Sequence, residues 1–158
     1  LVVMADGKVR REGPLAEALA DVKMPIETEN GASVVLSGKV SSLSSEWKTC
    51  CIDAGGWTFE TPMASLAMGS QVRLRVLARD VSIAVEKPDS ISIRNRLQAE
   101  VEEIAAHLSE PAYQLVKLKC PNGEGRLVSR ILRQSVTELG LHPGSQVWAL
   151  VKASAVIM

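Results

Sequence analysis

The chain has only five aromatic residues, Trp47, Trp57, Phe59, Tyr113 and Trp148, which make up 3% of its 158 residues. Proteins that hold single-stranded nucleic acid stack bases on aromatic platforms lining a basic groove. Here platforms are scarce, and Lys plus Arg balances Asp plus Glu at 18 each. Neither nucleic acid nor an anionic membrane surface is therefore an expected partner. Histidines are limited to His107 and His142, and cysteines to Cys50, Cys51 and Cys120. An odd cysteine count with one adjacent pair is no disulfide framework. Adjacent residues on a strand face opposite ways, so Cys50 and Cys51 make a poor metal pair. Free thiols in a reducing cytosol are the reading, and no spacing suggests a cysteine–histidine catalytic pair. No apolar run approaches the roughly 20 residues of a membrane helix. The opening run Leu1–Met4 is too short for a signal peptide and reads as a strand whose beginning lies elsewhere.

What is present is a soluble composition, 46% hydrophobic and 23% charged, enough for one domain or two small ones. Leu1–Met4, a turn at Ala5-Asp6-Gly7 and Lys8–Arg11 read as a hairpin, and Gly13-Pro14 opens a helix. After a polar connector from Met24 to Gly31, short strands follow, punctuated by Gly, Asp and Ser. Strands are expected at Ala32–Val40, Trp47–Ile52 and Trp57–Glu60, with a loop at Ser41–Glu46 and a turn at Asp53–Gly56. Further strands are expected at Ala112–Lys119 and through Leu132, around the turn Pro121-Asn122-Gly123. Gln134–Leu139 reads as a short helix stopped by Gly140. Arg96–Glu110 is ambiguous: Leu97, Val101, Ile104 and Leu108 have helical spacing, whereas Leu97, Ala99 and Val101 alternate as in a strand.

Two tails repeat. Gly69-Ser70-Gln71-Val72 returns as Gly144-Ser145-Gln146-Val147, and the same 75-residue offset pairs Ala78 with Ala153 and Val81 with Val156. A repeated glycine followed by a strand in the same register points to a duplicated β unit. Between the two tails lies Ser92-Ile93-Arg94-Asn95. Its hydroxyl, guanidinium and carboxamide can all donate hydrogen bonds to an anion without losing a proton. On local residues alone it also reads as the start of an ordinary strand.

The second unit, Ile91–Met158, resembles the molybdate-binding (Mop, or TOBE) domain. The matching pieces are Ser92-Ile93-Arg94-Asn95, then Arg133-Gln134-Ser135 with Leu139-Gly140-Leu141 and Gly144, and last Val151-Lys152-Ala153. Residues 1–24 are similar to the end of an ABC-transporter ATPase domain, and Arg79-Asp80-Val81 also fits. Together the chain resembles the C-terminal regulatory region of molybdate-importer ATPase subunits. That resemblance implies a mainly β fold of two small OB-like barrels, able to share strands, behind a hairpin-plus-helix remnant of the ATPase domain. The divisions would be 1–24, 25–89 and 90–158. It also makes Arg96–Ile104 a strand, against the helical spacing.

The resemblance implies an oxyanion site, for molybdate or tungstate, built from Ser92, Arg94, Asn95, Ser135, Lys152 and Ala153. It implies regulation without catalysis in this chain. No G-x-x-x-x-G-K-[ST] loop occurs, so ATP would be bound and hydrolysed by sequence upstream of Leu1. The expected setting is a homodimer at the cytoplasmic face of the membrane, joined to permease subunits through the ATPase domain. A structural dimerisation module with a decayed ligand site is the alternative. Two departures from the family bear on it. Leu132 stands where a threonine hydroxyl often lines the site, and Leu77 is the first unit's counterpart of Lys152.

Overall fold

Alternation of apolar and polar residues, the mark of strands with one buried face, sets most of the architecture. The computed structural model describes residues 3–5, 8–11, 32–63 and 65–158, the first two stretches as backbone only. Its strands are β1 (Val3–Ala5), β2 (Lys8–Arg11), β3 (Ser33–Ser44), β4 (Thr49–Ala54), β5 (Trp57–Pro62) and β6 (Gln71–Leu77). They continue with β7 (Val81–Ala84), β8 (Asn95–Ala106), β9 (Tyr113–Lys119), β10 (Arg126–Leu132) and β11 (Gln146–Val151). One short helix, α1 (Arg133–Glu138), joins β10 to β11. β1 and β2 form the hairpin expected there, while the helix expected after Pro14 lies outside the described residues.

The other strands form a four-stranded sheet, β5-β4-β3-β6, and a five-stranded sheet, β10-β9-β8-β11-β7. Inward residues of both share one apolar core, with Ile52, Phe59 and Leu74 from the first and Val101, Leu118 and Leu127 from the second. Asn95, Leu97, Ala99 and Val101 are the buried alternates of β8, and Val147, Ala149 and Val151 those of β11.

The two sheets are copies of one plan. β3 breaks its ladder with a bulge between Val40 and Ser42, and β8 breaks at the matching place, between Val101 and Glu103. β6 and β11 each run into a single 3-10 turn, Ala78–Asp80 and Ala153–Ala155. The glycines that begin the repeated tails, Gly69 and Gly144, both take left-handed φ values, +80° and +98°, which disfavour a side chain.

Beyond each 3-10 turn the chain crosses to the other copy. β7 follows β6 but pairs with β11, with Ser82 opposite Leu150. Ile157 follows β11 but bridges to Arg75 of β6. The 75-residue offset carries Ser82 to Ile157 and Arg75 to Leu150, so these two pairings are counterparts. A buried hydroxyl closes each exchange: Ser129 of β10 donates to the Val81 carbonyl at 2.5 Å, and Thr61 of β5 donates to the Ala153 carbonyl at 3.4 Å. The Ser129 bond draws together β10 and β7, the two edges of one sheet, and so curls it into a small OB-like barrel. Residues 153–157 likewise run from β5 to β6. The mainly β fold with shared strands agrees with expectation.

Two local readings are corrected. Ser41–Ser44 continues β3 where a loop was expected, and Trp47 sits in the following turn, 73% exposed, beside Lys48 at φ 59°. The helical spacing of Leu97, Val101, Ile104 and Leu108 is produced by a strand. The β8 bulge leaves Glu102 unpaired in the ladder and resets the alternation, so Ile104 faces the core three residues after Val101. On the outer face of β8, Lys119 donates to Glu100 across a 2.8 Å ion pair and holds that carboxyl below its ordinary pKa. Glu102 forms ion pairs with Lys117 and Arg126, at 3.3 and 3.1 Å.

The barrels also meet at their hairpin tips. Gly125 N–H donates to the Gly55 carbonyl at 2.8 Å, and a Cβ on Gly125 would fall 2.7 Å from that same oxygen. Gly55 has φ +64°, and a Cβ there would meet Gly125 Cα at 2.5 Å. Since these neighbours are backbone, they cannot rotate aside. Gly125→Ala is expected to destabilise the fold by about 1–3 kcal/mol, the range for overpacking a rigid contact, read as a lower urea midpoint. An unchanged midpoint would mean that the tips separate freely.

Candidate oxyanion site at the joint between the barrels

β8 begins and β11 ends on one rung, Asn95 opposite Val151. Arg94 and Lys152 therefore stand side by side just outside the ladder, each one residue beyond the pair. Lys152 is exposed, and the 3-10 turn beginning at Ala153 follows it. Arg79, Asp80, Ser82, Ile93, Lys152 and Ala155 line a cavity of about 220 Å³ at this place. It lies at the exchange itself, because the offset makes Asp80 and Ala155 counterparts from the two 3-10 turns. Among the described residues neither Arg79 nor Lys152 has an ion-pair partner. With Asp80, the lining charges sum to one net positive.

The expected site residues divide into three groups. Lys152 lines the cavity, while Ala153, Arg94 and Ser92 lie next to it along the chain, with Ser92 exposed. Arg94 is turned toward β5: its Nε and Nη2 reach Glu60 Oε2 at 3.2 and 3.1 Å. Asn95 is buried, and its carboxamide reads the Glu60 peptide like a neighbouring strand. Its Oδ1 accepts from the Glu60 N–H at 2.6 Å and its Nδ2 donates to the Glu60 carbonyl at 2.9 Å. Three residues away Trp57 Nε1 donates to the Gln98 carbonyl at 2.8 Å, so β5 is laced along β8 by side chains.

Ser135 is not brought to this place. It lies on α1, whose first residue, Arg133, donates its N–H to the Ala112 carbonyl beside the start of β9. That is the end of the β8–β9 pair opposite Asn95, since Ala106 pairs with Gln114. A separate cleft of about 380 Å³ sits there, lined by Ala112, Leu132, Arg133, Gln134 and Thr137. Leu132 is 44% exposed. No lining residue is common to the two cavities.

Arg79 and Ser82 were not assigned to the site from sequence, and neither was Glu60. The repeat held a usable signal: the 75-residue offset carries Arg79 to Ser154, two residues after Lys152. What was missing was the crossing of the chain between copies, which brings the two turns together.

Asn95→Asp tests the clamp. It would replace the N–H donor facing the Glu60 carbonyl with an oxygen and bury a charge. A loss of about 1–3 kcal/mol is expected, as for a buried polar group left unsatisfied, measured by urea unfolding with no ligand present. Native stability would show that Asn95 is not structural.

Residues 91–158 match the TOBE domain family model. The molybdenum import ATP-binding protein ModC of Methylococcus capsulatus is 34% identical over 157 residues, and that of Brucella abortus is 40% identical over the same length. Each alignment takes in 99% of this chain but only 43% and 42% of the relative, so the chain spans about two fifths of their length. A crystal structure of the cytoplasmic molybdate-binding protein ModG, with molybdate bound, superimposes with a TM-score of 0.66 at 28% identity. That match covers 85% of this chain and 97% of that one. Residues 91–158 thus carry the TOBE domain match, and the chain is homologous to the C-terminal region of ModC molybdenum import ATP-binding proteins.

Proposed function

We propose that this chain is an oxyanion-sensing regulatory module, binding molybdate or tungstate at the joint where the two barrels exchange strands. The observation that carries this reading is the 220 Å³ cavity holding Arg79, Ser82 and Lys152, with Arg94 beside it. A tetrahedral dianion held without metal needs several donors and positive charge, and these side chains offer both. A volume of about 220 Å³ leaves room for an oxyanion with part of its hydration. Lys152 and Arg79 supply charge, Ser82 and Ser92 hydroxyls, and Ala153, which begins the 3-10 turn, a backbone N–H group. Asn95 acts by placing Arg94 and Glu60. Ser135, on the far face, would join such a site only from a second copy of the chain, in a homodimer.

In this reading the chain performs no catalysis. ATP binding and contact with permease subunits belong to the remainder of a ModC-like subunit, held at the cytoplasmic face of the membrane. Bound oxyanion would favour one arrangement of the barrels and so bias the ATPase, a coupling set by its difference in affinity for the two arrangements. A second reading, a dimerisation module whose ligand site has decayed, draws on two observations: Leu132 exposed in the α1 cleft and Arg94 engaged by Glu60.

Isothermal titration with sodium molybdate separates the two. The oxyanion reading expects saturable heat, and about ten- to a hundredfold weaker binding for Lys152→Ala, the worth of a charge-assisted hydrogen bond. No heat at millimolar molybdate would leave the structural reading.

A further inference from the structure

Glu60 is anchored before it is paired. Its peptide N–H and carbonyl are both held by the Asn95 carboxamide, which fixes its Cα against the start of β8. Its carboxylate then meets the Arg94 guanidinium through Nε and Nη2, both on Oε2. A carboxylate offers a guanidinium the same charge-assisted contacts that a tetrahedral oxyanion would. The Arg94 side chain is 66% exposed and that of Glu60 24%, so the arginine is the partner with freedom to turn. Arg94 also follows Ile93, a cavity residue, and stands beside Lys152 across one rung.

We infer that Glu60 is an internal counter-ion that competes with a bound oxyanion for Arg94 and thereby sets the affinity of the site. This rests on the oxyanion reading above. Without ligand, Arg94 is held on β5. An oxyanion seated against Lys152 draws the guanidinium from Glu60, and the lost ion pair is subtracted from the binding free energy. The exchange reaches both barrels, because Glu60 belongs to the four-stranded sheet and Arg94 leads into the five-stranded one. The next residue, Thr61, donates to the Ala153 carbonyl in the turn after Lys152, so β5 touches the site through adjacent residues.

The test is calorimetric titration with sodium molybdate of the native chain, Glu60→Gln and Asp53→Asn. Asp53 is an exposed carboxylate of the same sheet, hydrogen-bonded to Thr58, with no contact to Arg94. Its replacement controls for net charge. Glu60→Gln is expected to bind about two- to fivefold more tightly, the contribution of a solvent-exposed ion pair, and Asp53→Asn to match the native chain. Binding by Glu60→Gln where the native chain shows none would also support the inference. Native binding with no gain in Glu60→Gln, or an equal gain in Asp53→Asn, would overturn the counter-ion role alone. Binding by neither the native chain nor Glu60→Gln would overturn the oxyanion reading with it.

Discussion

Each barrel is completed by the segment that follows the other barrel's last strand, and the rest of the structure depends on that exchange. Two buried hydroxyls hold it, Ser129 on the Val81 carbonyl and Thr61 on the Ala153 carbonyl. A buried donor and acceptor that lose each other cost about 1–3 kcal/mol, more than a hydrogen bond gains in water. The exchange therefore resists separation of the barrels, which in isolation would each lack a closing segment. It also brings two 3-10 turns, 75 residues apart in the chain, to one place. A cavity with positive lining results at the joint, drawing its residues from both copies.

The symmetry of the joint is broken in its chemistry. At one crossing β5 is laced to β8 through Asn95, Glu60 and Trp57. At the counterpart crossing β10 packs on β3, and the residues matching Asn95 and Glu60 are the buried Val34 and Val128. Likewise Lys152 is exposed where its counterpart Leu77 is buried. One crossing keeps an apolar seam, and the other carries the polar groups.

Much of this plan was legible in the residues. Gly69 and Gly144 marked the duplication because a left-handed position before a strand keeps its glycine, and β-branched and alternating runs marked the strands. The bulges were not legible. One extra residue at Glu102 shifts the phase of β8 and makes a strand look helical, a difference that periodicity cannot detect. Partner choice was hidden for a similar reason. Nothing local states that β7 joins β11 and not β6, since the decision rests on contacts some 70 residues distant. Of the site, the short-range grouping around Arg94 and Lys152 was visible in the family pattern. Glu60 was not, because it reaches Arg94 only through β5 packing along β8. Arg79 was visible as a motif without a place.

The most direct test of the joint as a ligand site is a crystal structure of the chain soaked in tungstate, with the tungsten located by anomalous scattering. One strong peak is expected within hydrogen-bonding reach of Lys152 and Arg79, with the Arg94 guanidinium turned from Glu60 toward it. A peak in the Leu132–Thr137 cleft with none at Lys152, or no peak at all, would contradict it.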